Sequence, residues 1–239
     1  MSRVALVTGA TRGIGLEAAR GLLSAGIRVL VAGRDLDTAA AVTDALLDEV
    51  GDADPDDSSW RARPVLLDVA DPASIDRLAR ELAAESVEVD VLVNNAGVCV
   101  SEGPLAIDEA AFAEQMATNA YGPWLLMRAF VPGMVARGYG RVVNVSSGSG
   151  SFGEGLDLGS YSVSKALLNA LTVTVAREVP PGCDVVVTAL CPGWVATDMG
   201  GPDAPVAVTQ AAAGVVRAAT APTGSLTATF TRDGRSIPW

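Results

Sequence analysis

The sequence predicts a single α/β domain in which a doubly wound, seven-stranded parallel sheet carries helices on both faces. Three observations predict it. Short β-branched runs alternate with Ala/Leu-rich segments of helical length. The first run is apolar at every position, as a strand buried on both faces must be. The alternation then continues without a break through all 239 residues, so no domain boundary is drawn.

The elements follow in order. Residues 4–8 read as the first strand, ending at a glycine, and residues 13–24 as a helix with period-3.6 apolar spacing. Residues 27–32 and 38–50 give the next strand and helix. Residues 62–67 are a strand, and residues 72–85 a helix entered through Asp71 as N-cap with Pro72 at its first turn. Residues 89–93 form the fourth strand. Residues 107–118 and 121–136 form two helices, the second disturbed near its end by Pro132 and Gly133. A strand at 141–145, a long helix at 160–178, a strand at 184–190, a helix at 206–219 and a last strand at 226–230 complete the pattern. Strands joined by helix-length crossovers must lie parallel. The acidic stretch 51–59 reads as a solvated turn.

Composition narrows the function. The formal charge of −11 argues against nucleic acid and against anionic membrane surfaces as partners. The longest uncharged stretch, residues 218–231, has 14 residues and is interrupted by Pro222 and Gly224, too short to span a bilayer. The first residues carry no apolar run of signal-peptide length, and Cys99, Cys183 and Cys191 have no metal spacing; a cytoplasmic protein with free thiols is expected. The chain has no histidine, which excludes Ser–His–Asp triads and histidine metal sites.

Between the first strand and first helix lies Thr8-Gly9-Ala10-Thr11-Arg12-Gly13-Ile14-Gly15. Glycines there let backbone approach a pyrophosphate, and the helix N-terminus offers N–H groups and a positive dipole end. Tyr161 and Lys165, four apart on a predicted helix, share one face.

The TGxxxGIG segment resembles the short-chain dehydrogenase/reductase family, and further motifs follow in the family's order. Asn94-Asn95-Ala96-Gly97 resembles its NNAG, Asn119 its helical asparagine, and Ser146-Ser147 its catalytic serine region. Tyr161 to Lys165 matches YxxxK, and Pro192-Gly193-Trp194-Val195-Ala196-Thr197 matches PGxxxT. The likeness covers roughly residues 4–200. The Cys191–Met199 segment and the tail ending at Trp239 look like the carbonyl-reductase branch. The insertion some of those enzymes carry before the tyrosine is absent, since 13 residues separate Ser147 from Tyr161.

The resemblance implies a Rossmann fold and an NADPH-dependent oxidoreductase acting on a small carbonyl or alcohol. It makes Tyr161 the acid that protonates the carbonyl oxygen. Lys165 would lower the tyrosine's pKa, helped by the oxidised nicotinamide, and hold the ribose hydroxyls. Ser147 would be the second donor to the oxygen, with Ser146 as competitor. Asn119 would hold a water relaying protons to Lys165, and could at the same time bond backbone within its helix. The cofactor would meet Gly9, Thr11, Gly13, Ile14 and Gly15. Asp68 and Val69 would take the adenine, and Asn95, Ala96 and Gly97 would line it. Pro192, Gly193, Val195 and Thr197 would reach the carboxamide and phosphates. The acid that selects NAD is replaced by Gly33, so Arg34 and Arg12 would take a 2′-phosphate. Asp35 reads either as an N-cap or, one register over, as that acid.

On the substrate side Phe152, Trp194 and Met199 stand out, with Val98, Cys99, Gly148 and Leu156 as further wall candidates. Their apolar character suggests a hydrophobic ketone or aldehyde. Glu154, the one charge in the loop before Tyr161, is read as solvated, or else as a contact to a substrate amine or hydroxyl. Oxidation of a secondary alcohol in a biosynthetic pathway is the alternative reaction, and a non-catalytic dinucleotide-binding regulator the alternative class. An extended-family epimerase or dehydratase would need more chain after residue 200 than the 39 residues present. The resemblance favours a homodimer or homotetramer built on helices 121–136 and 160–178, with a monomer left open by the tail.

Overall fold

The computed structural model describes residues 2–50, 60–225 and 227–239, so the acidic stretch 51–59 lies outside the described residues. The parallel strands are β1 (Val4–Val7), β2 (Arg28–Gly33), β3 (Ala62–Leu66), β4 (Val91–Asn94), β5 (Tyr139–Val145), β6 (Asp184–Leu190) and β7 (Thr229–Arg232). A short β8 (Arg235–Ser236) follows, and the order is β3-β2-β1-β4-β5-β6-β7-β8. The sheet therefore has eight strands, not the expected seven, and its last pair is antiparallel.

The reason lies in Asp233-Gly234, whose φ values of 51° and 75° make the tight turn that right-twisted hairpins prefer. The turn folds the chain back so that Thr231 pairs with Ser236. It also places the seventh strand later than 226–230, of which Leu226 lies outside the described residues.

Period-two alternation distributes the central strands between two cores. Val4, Leu6, Leu30 and Leu92 face one apolar cluster; Ala5, Val7, Val29 and Val91 face the other. Helices α1 (Gly13–Ser24), α2 (Leu36–Val50) and α7 (Val208–Ala219) cover the second cluster. Helices α3 (Pro72–Ala84), α5 (Gly122–Arg137) and α6 (Gly159–Glu178) cover the first. Each fully buried Leu or Val contributes roughly 1.5–3 kcal/mol. Two full faces thus hold the sheet without disulfides, and all three cysteines are free. Asp71 caps α3 as expected, its carboxylate accepting from the Ala73 N–H at 3.0 Å.

Two details shape the site. The helices expected at 107–118 and 121–136 are one rod: α4 (Glu109–Met116) passes through a π-turn, Ala117–Tyr121, into α5. The wider turn gives a bulge that holds Asn119 inward. Just after it, a Cβ at Gly122 would come within 2.1 Å of the Val69 carbonyl, so only glycine lets the helix pass the end of the β3–α3 connection. Pro132 does not end α5, which runs on to Gly138 in the left-handed conformation.

Candidate active site

The strand order reverses at β1 and β4, and their C-terminal ends open the crevice where doubly wound sheets bind ligands. Gly9 and Gly13 have φ of 61° and 56°, and a Cβ on Gly15 would lie 2.3 Å from the Gly9 carbonyl oxygen. The loop is thus as tight as its glycines require. No side chain caps the N-terminus of α1, so its first-turn N–H groups and dipole are available to an anion.

Thr8 and Asn95 tie the loop to the end of β4. The Thr8 hydroxyl accepts from the N–H groups of Asn95 and Ala96 at 2.9 and 3.0 Å. The Asn95 amide donates to the carbonyls of Thr8 and Gly9 at 2.9 and 3.2 Å. Asn95 therefore shapes the loop from beneath. Thr8 was not among the expected site residues; its place at the strand end was the available signal. Asn94 is buried and donates to Asn144 at 2.7 Å. The Thr197 methyl faces Gly13, 3.5 Å from where its Cβ would be. Thr197 thereby brings the Pro192–Thr197 segment against the glycine loop, and Val195 anchors that segment in a bridge to Val206.

The residues expected on the adenine side follow β2 and β3. Asp68 accepts from the Ala70 N–H at 2.9 Å. Arg34 is exposed directly after β2. Asp35 caps α2: its carboxylate accepts from the Thr38 N–H at 2.8 Å and from the Thr38 hydroxyl. Those bonds hold its carboxyl below the usual carboxylate range. The capping reading of Asp35 is thus borne out. Arg12, expected beside Arg34, instead pairs with Asp198 at 2.5 Å, both side chains being about three-quarters exposed.

At the other end of the crevice α6 presents Tyr161 and Lys165 on one buried face. Ser146 and Ser147 point opposite ways. The Ser146 hydroxyl is buried and donates to Asn169 at 2.6 Å. Ser147, partly exposed just after β5, accepts from the Ser149 N–H at 3.2 Å through its hydroxyl, which also acts to lower the Tyr161 pKa. Gly97 completes the pocket, its Cβ direction 3.7 Å from the Lys165 ammonium.

The electrostatics differ from the expectation that Lys165 acidifies Tyr161. Burial pushes the Tyr161 phenol up, against an opposing hydrogen bond from Ser147. Burial also pushes Lys165 down to about 8. The ammonium lies 5.6 Å from the tyrosine ring centroid and donates to the Val145 carbonyl at 2.9 Å. Desolvation is the largest influence on both groups, and the lysine's hydrogen bond goes to backbone instead of to the phenol. The outcome is a phenol held protonated.

Asn119 bonds backbone, at Val98 after β4 instead of within its own helix. Its carbonyl accepts from the Val98 N–H at 2.9 Å, and its amide donates to the Val98 carbonyl at 2.7 Å and to Ser164 at 2.9 Å. Asn119 therefore stitches the segment after β4 to α6 at Ser164, the residue before Lys165.

The expected substrate-side residues are exposed, Phe152 by 79%, Trp194 by 58% and Met199 by 52%. Trp194 is fixed by its indole N–H donating to the Gly200 carbonyl at 2.8 Å. Glu154 is exposed, as expected, and its carboxylate forms an ion pair with Arg232 of β7, a partner with no signal in the local sequence.

Comparison with known proteins agrees with this geometry. The short chain dehydrogenase family profile matches residues 3–205. Galactitol 2-dehydrogenase (L-tagatose-forming) of Cereibacter sphaeroides is 38% identical over 82% of this chain and 72% of its own length. The 3-oxoacyl-(acyl-carrier-protein) reductase FabG of Escherichia coli K12 is 31% identical over 82% of this chain and 75% of its own. The NADPH-bound carbonyl reductase from chicken fatty liver superposes with a TM-score of 0.84 at 28% identity, covering 100% of this chain and 94% of that one. A doubly wound sheet with a glycine loop at its switch point and a Tyr-x-x-x-Lys helix beside it defines a dinucleotide-dependent oxidoreductase. This chain belongs to the short-chain dehydrogenase family.

Proposed function

We propose that the protein reduces a ketone or aldehyde of largely apolar character to the alcohol, using NADPH. The observation that carries the reading is the convergence of Ser147, Tyr161 and Lys165 on one side of the crevice, with Ser146 turned into the core.

The cradle suits a dinucleotide. The glycine loop with Thr11 and Ile14 would hold the pyrophosphate, Asp68 and Val69 the adenine, and Ala96, Gly97, Val195 and Thr197 the nicotinamide half. Pro192 and Gly193 set the turn that brings the last two in. Arg34 and Arg12 would take the 2′-phosphate. Arg12 must leave Asp198 to do so. An exposed ion pair is worth about 0–1 kcal/mol, and a hydrogen bond to a charged group about 1.5–3, so the exchange favours the phosphate.

Bound NADPH supplies the hydride. The protein's part is to hold the carbonyl oxygen between two hydroxyls. Ser147 donates to that oxygen, and Tyr161, kept protonated by burial, delivers a proton to it. Lys165 holds its side of the pocket through Val145, and Asn119 fixes α6 against the segment after β4. Phe152, Trp194 and Met199 offer apolar surface to the rest of the substrate. A cytoplasmic location fits three unpaired cysteines and the absence, among the described residues, of a helix long and apolar enough to cross a membrane. Exposed Tyr121 beside α5, and Val163 and Leu167 on α6, are consistent with a homodimer or homotetramer on those helices.

The test is loss of nicotinamide absorbance when NADPH meets a panel of aryl and alkyl ketones and aldehydes. Consumption with apolar carbonyls is expected. NADPH binding without turnover on any carbonyl or alcohol would instead make the protein a non-catalytic dinucleotide binder.

A further inference from the structure

We propose that Arg232, on the C-terminal hairpin, is a positioning residue that fixes the backbone turn carrying Ser147. The inference rests on the reading of Ser147 as a donor to the carbonyl oxygen.

Ser147 stands where β5 ends and the chain enters a loop whose only regular structure is the single turn Gly148–Gly150. Its direction therefore depends on what holds Gly148. The Gly148 N–H donates to the Cys191 sulfur at 3.1 Å. Sulfur is a weak acceptor and by itself holds a backbone N–H loosely. The same sulfur accepts a second bond from Arg232 Nε at 3.2 Å. The rest of that guanidinium forks onto Glu154, with Nη1 to Oε1 at 3.1 Å and Nη2 to Oε2 at 2.5 Å. Glu154 lies further along the same loop, before α6. One planar group thus spans the loop, with sulfur at one end and a carboxylate at the other.

The clamp rests directly on the turn. A Cβ on Gly148 would come within 2.3 Å of Arg232 Nη2 and 2.4 Å of Glu154 Oε2. Only a residue without a side chain leaves room for the guanidinium there. The pair is about one-third exposed, and its two-pronged geometry is of the kind that exceeds an ordinary surface pair.

Other bonds dock the tail independently of Arg232. The Ser151 hydroxyl donates to the Pro238 carbonyl at 2.7 Å, and the Gly153 N–H to the Trp239 carbonyl at 3.2 Å. Trp239 stacks on Phe230 at 5.4 Å between centroids. Removing the guanidinium should therefore free the Gly148 end of the loop and leave the Ser151–Gly153 end in place.

The experiment has two readouts. Hydrogen exchange on the cofactor-free protein compares wild type with Arg232→Ala and Glu154→Gln. Exchange across residues 147–150 should quicken about tenfold in Arg232→Ala, with 151–154 and the sheet unchanged. Steady-state reduction of an aryl ketone with NADPH then compares Arg232→Ala, Ser147→Ala and the double variant. Arg232→Ala should lower kcat about tenfold, with ketone KM and NADPH affinity by fluorescence within about twofold of wild type. In the Ser147→Ala background it should cost nothing further, and Arg232→Lys, which keeps a charge opposite Glu154, should recover part of the loss. Equal losses in both backgrounds, or unchanged exchange at 147–150, would overturn the proposal. If Ser147→Ala itself leaves kcat intact, the donor reading fails while the exchange result still decides the clamp. Should Arg232→Ala not fold, Glu154→Gln carries the same comparison.

Discussion

Replacing the two adjacent serines by alanine should produce opposite phenotypes. The Ser147 hydroxyl acts on the Tyr161 phenol and accepts the N–H of Ser149, two residues on. Ser147→Ala removes one oxyanion-type donor, an effect of about 2.7–4 kcal/mol on the barrier, or roughly 10²–10³ in kcat. Its stability should change little, because the lost bond lies on a one-turn loop at the crevice. Ser146 is 2% exposed, and its hydroxyl is the donor to Asn169 Oδ1. Ser146→Ala leaves that oxygen buried without its donor, at a cost of about 1–3 kcal/mol in stability. For a chain of this length each kcal/mol lowers Tm by roughly 2–4 °C. Ser146→Ala should therefore melt several degrees early while its kcat stays within about threefold of wild type, the range below ~1 kcal/mol of barrier. Thermal denaturation and single-substrate kinetics on both variants decide the matter. A kcat collapse in Ser146→Ala with a Tm drop in Ser147→Ala would place the loop one residue out of register and refute the reasoning.

Three further outcomes are expected. Tyr161→Phe should lose about 10²–10⁴ in kcat with NADPH affinity near normal; wild-type turnover in that variant would remove Tyr161 as the acid. Lys165 is held near 8, below its ordinary value, so the unfolded chain binds more protons as pH rises past 8, and stability should rise toward the unfolded lysine pKa of about 10.4. Lys165→Met, which removes the buried charge, should thus raise Tm most below pH 8, and its advantage should shrink by pH 10; a constant difference across that range contradicts the assignment. NADPH should be strongly preferred over NADH, the preference weakening with salt. Arg12→Ala with Arg34→Ala should cost about a hundredfold or more in NADPH affinity, and Asp198→Ala should improve it by freeing Arg12. Equal kcat/KM for both cofactors in the unmodified protein would defeat that reading.

Most of the fold is legible from local rules. The four-residue apolar run Val4–Val7 fits a strand covered on both sides, and Asp71-Pro72 puts an N-cap and a first-turn proline ahead of an apolar-periodic stretch. The errors fell where local signals compete. Asp233-Gly234 carries a hairpin signal, but a two-residue partner strand is too short to show periodicity. The break expected between two helices near Asn119 is a π-turn, whose hydrogen bonding leaves no mark on apolar spacing.

The sequence by itself determined which residues stand at strand ends and on one helix face. The order of glycine loop, Asn94–Gly97, Ser146-Ser147 and Tyr161–Lys165 is written in the chain, because parallel strands deliver their C-terminal ends to one edge. Only the tertiary structure decided what each side chain does there. The inward turn of Ser146 depends on Asn169, 23 residues on. The pairing of Arg12 depends on Asp198, and the fate of Glu154 on Arg232, 78 residues away. The hydrogen bond of Lys165 goes to a strand carbonyl instead of its own helix neighbour, and burial sets the protonation of both. Helix and strand periodicity are properties of a dozen consecutive residues. Ionisation and hydrogen-bond partners are set by whatever the folded chain brings within a few ångströms, and no local pattern encodes that.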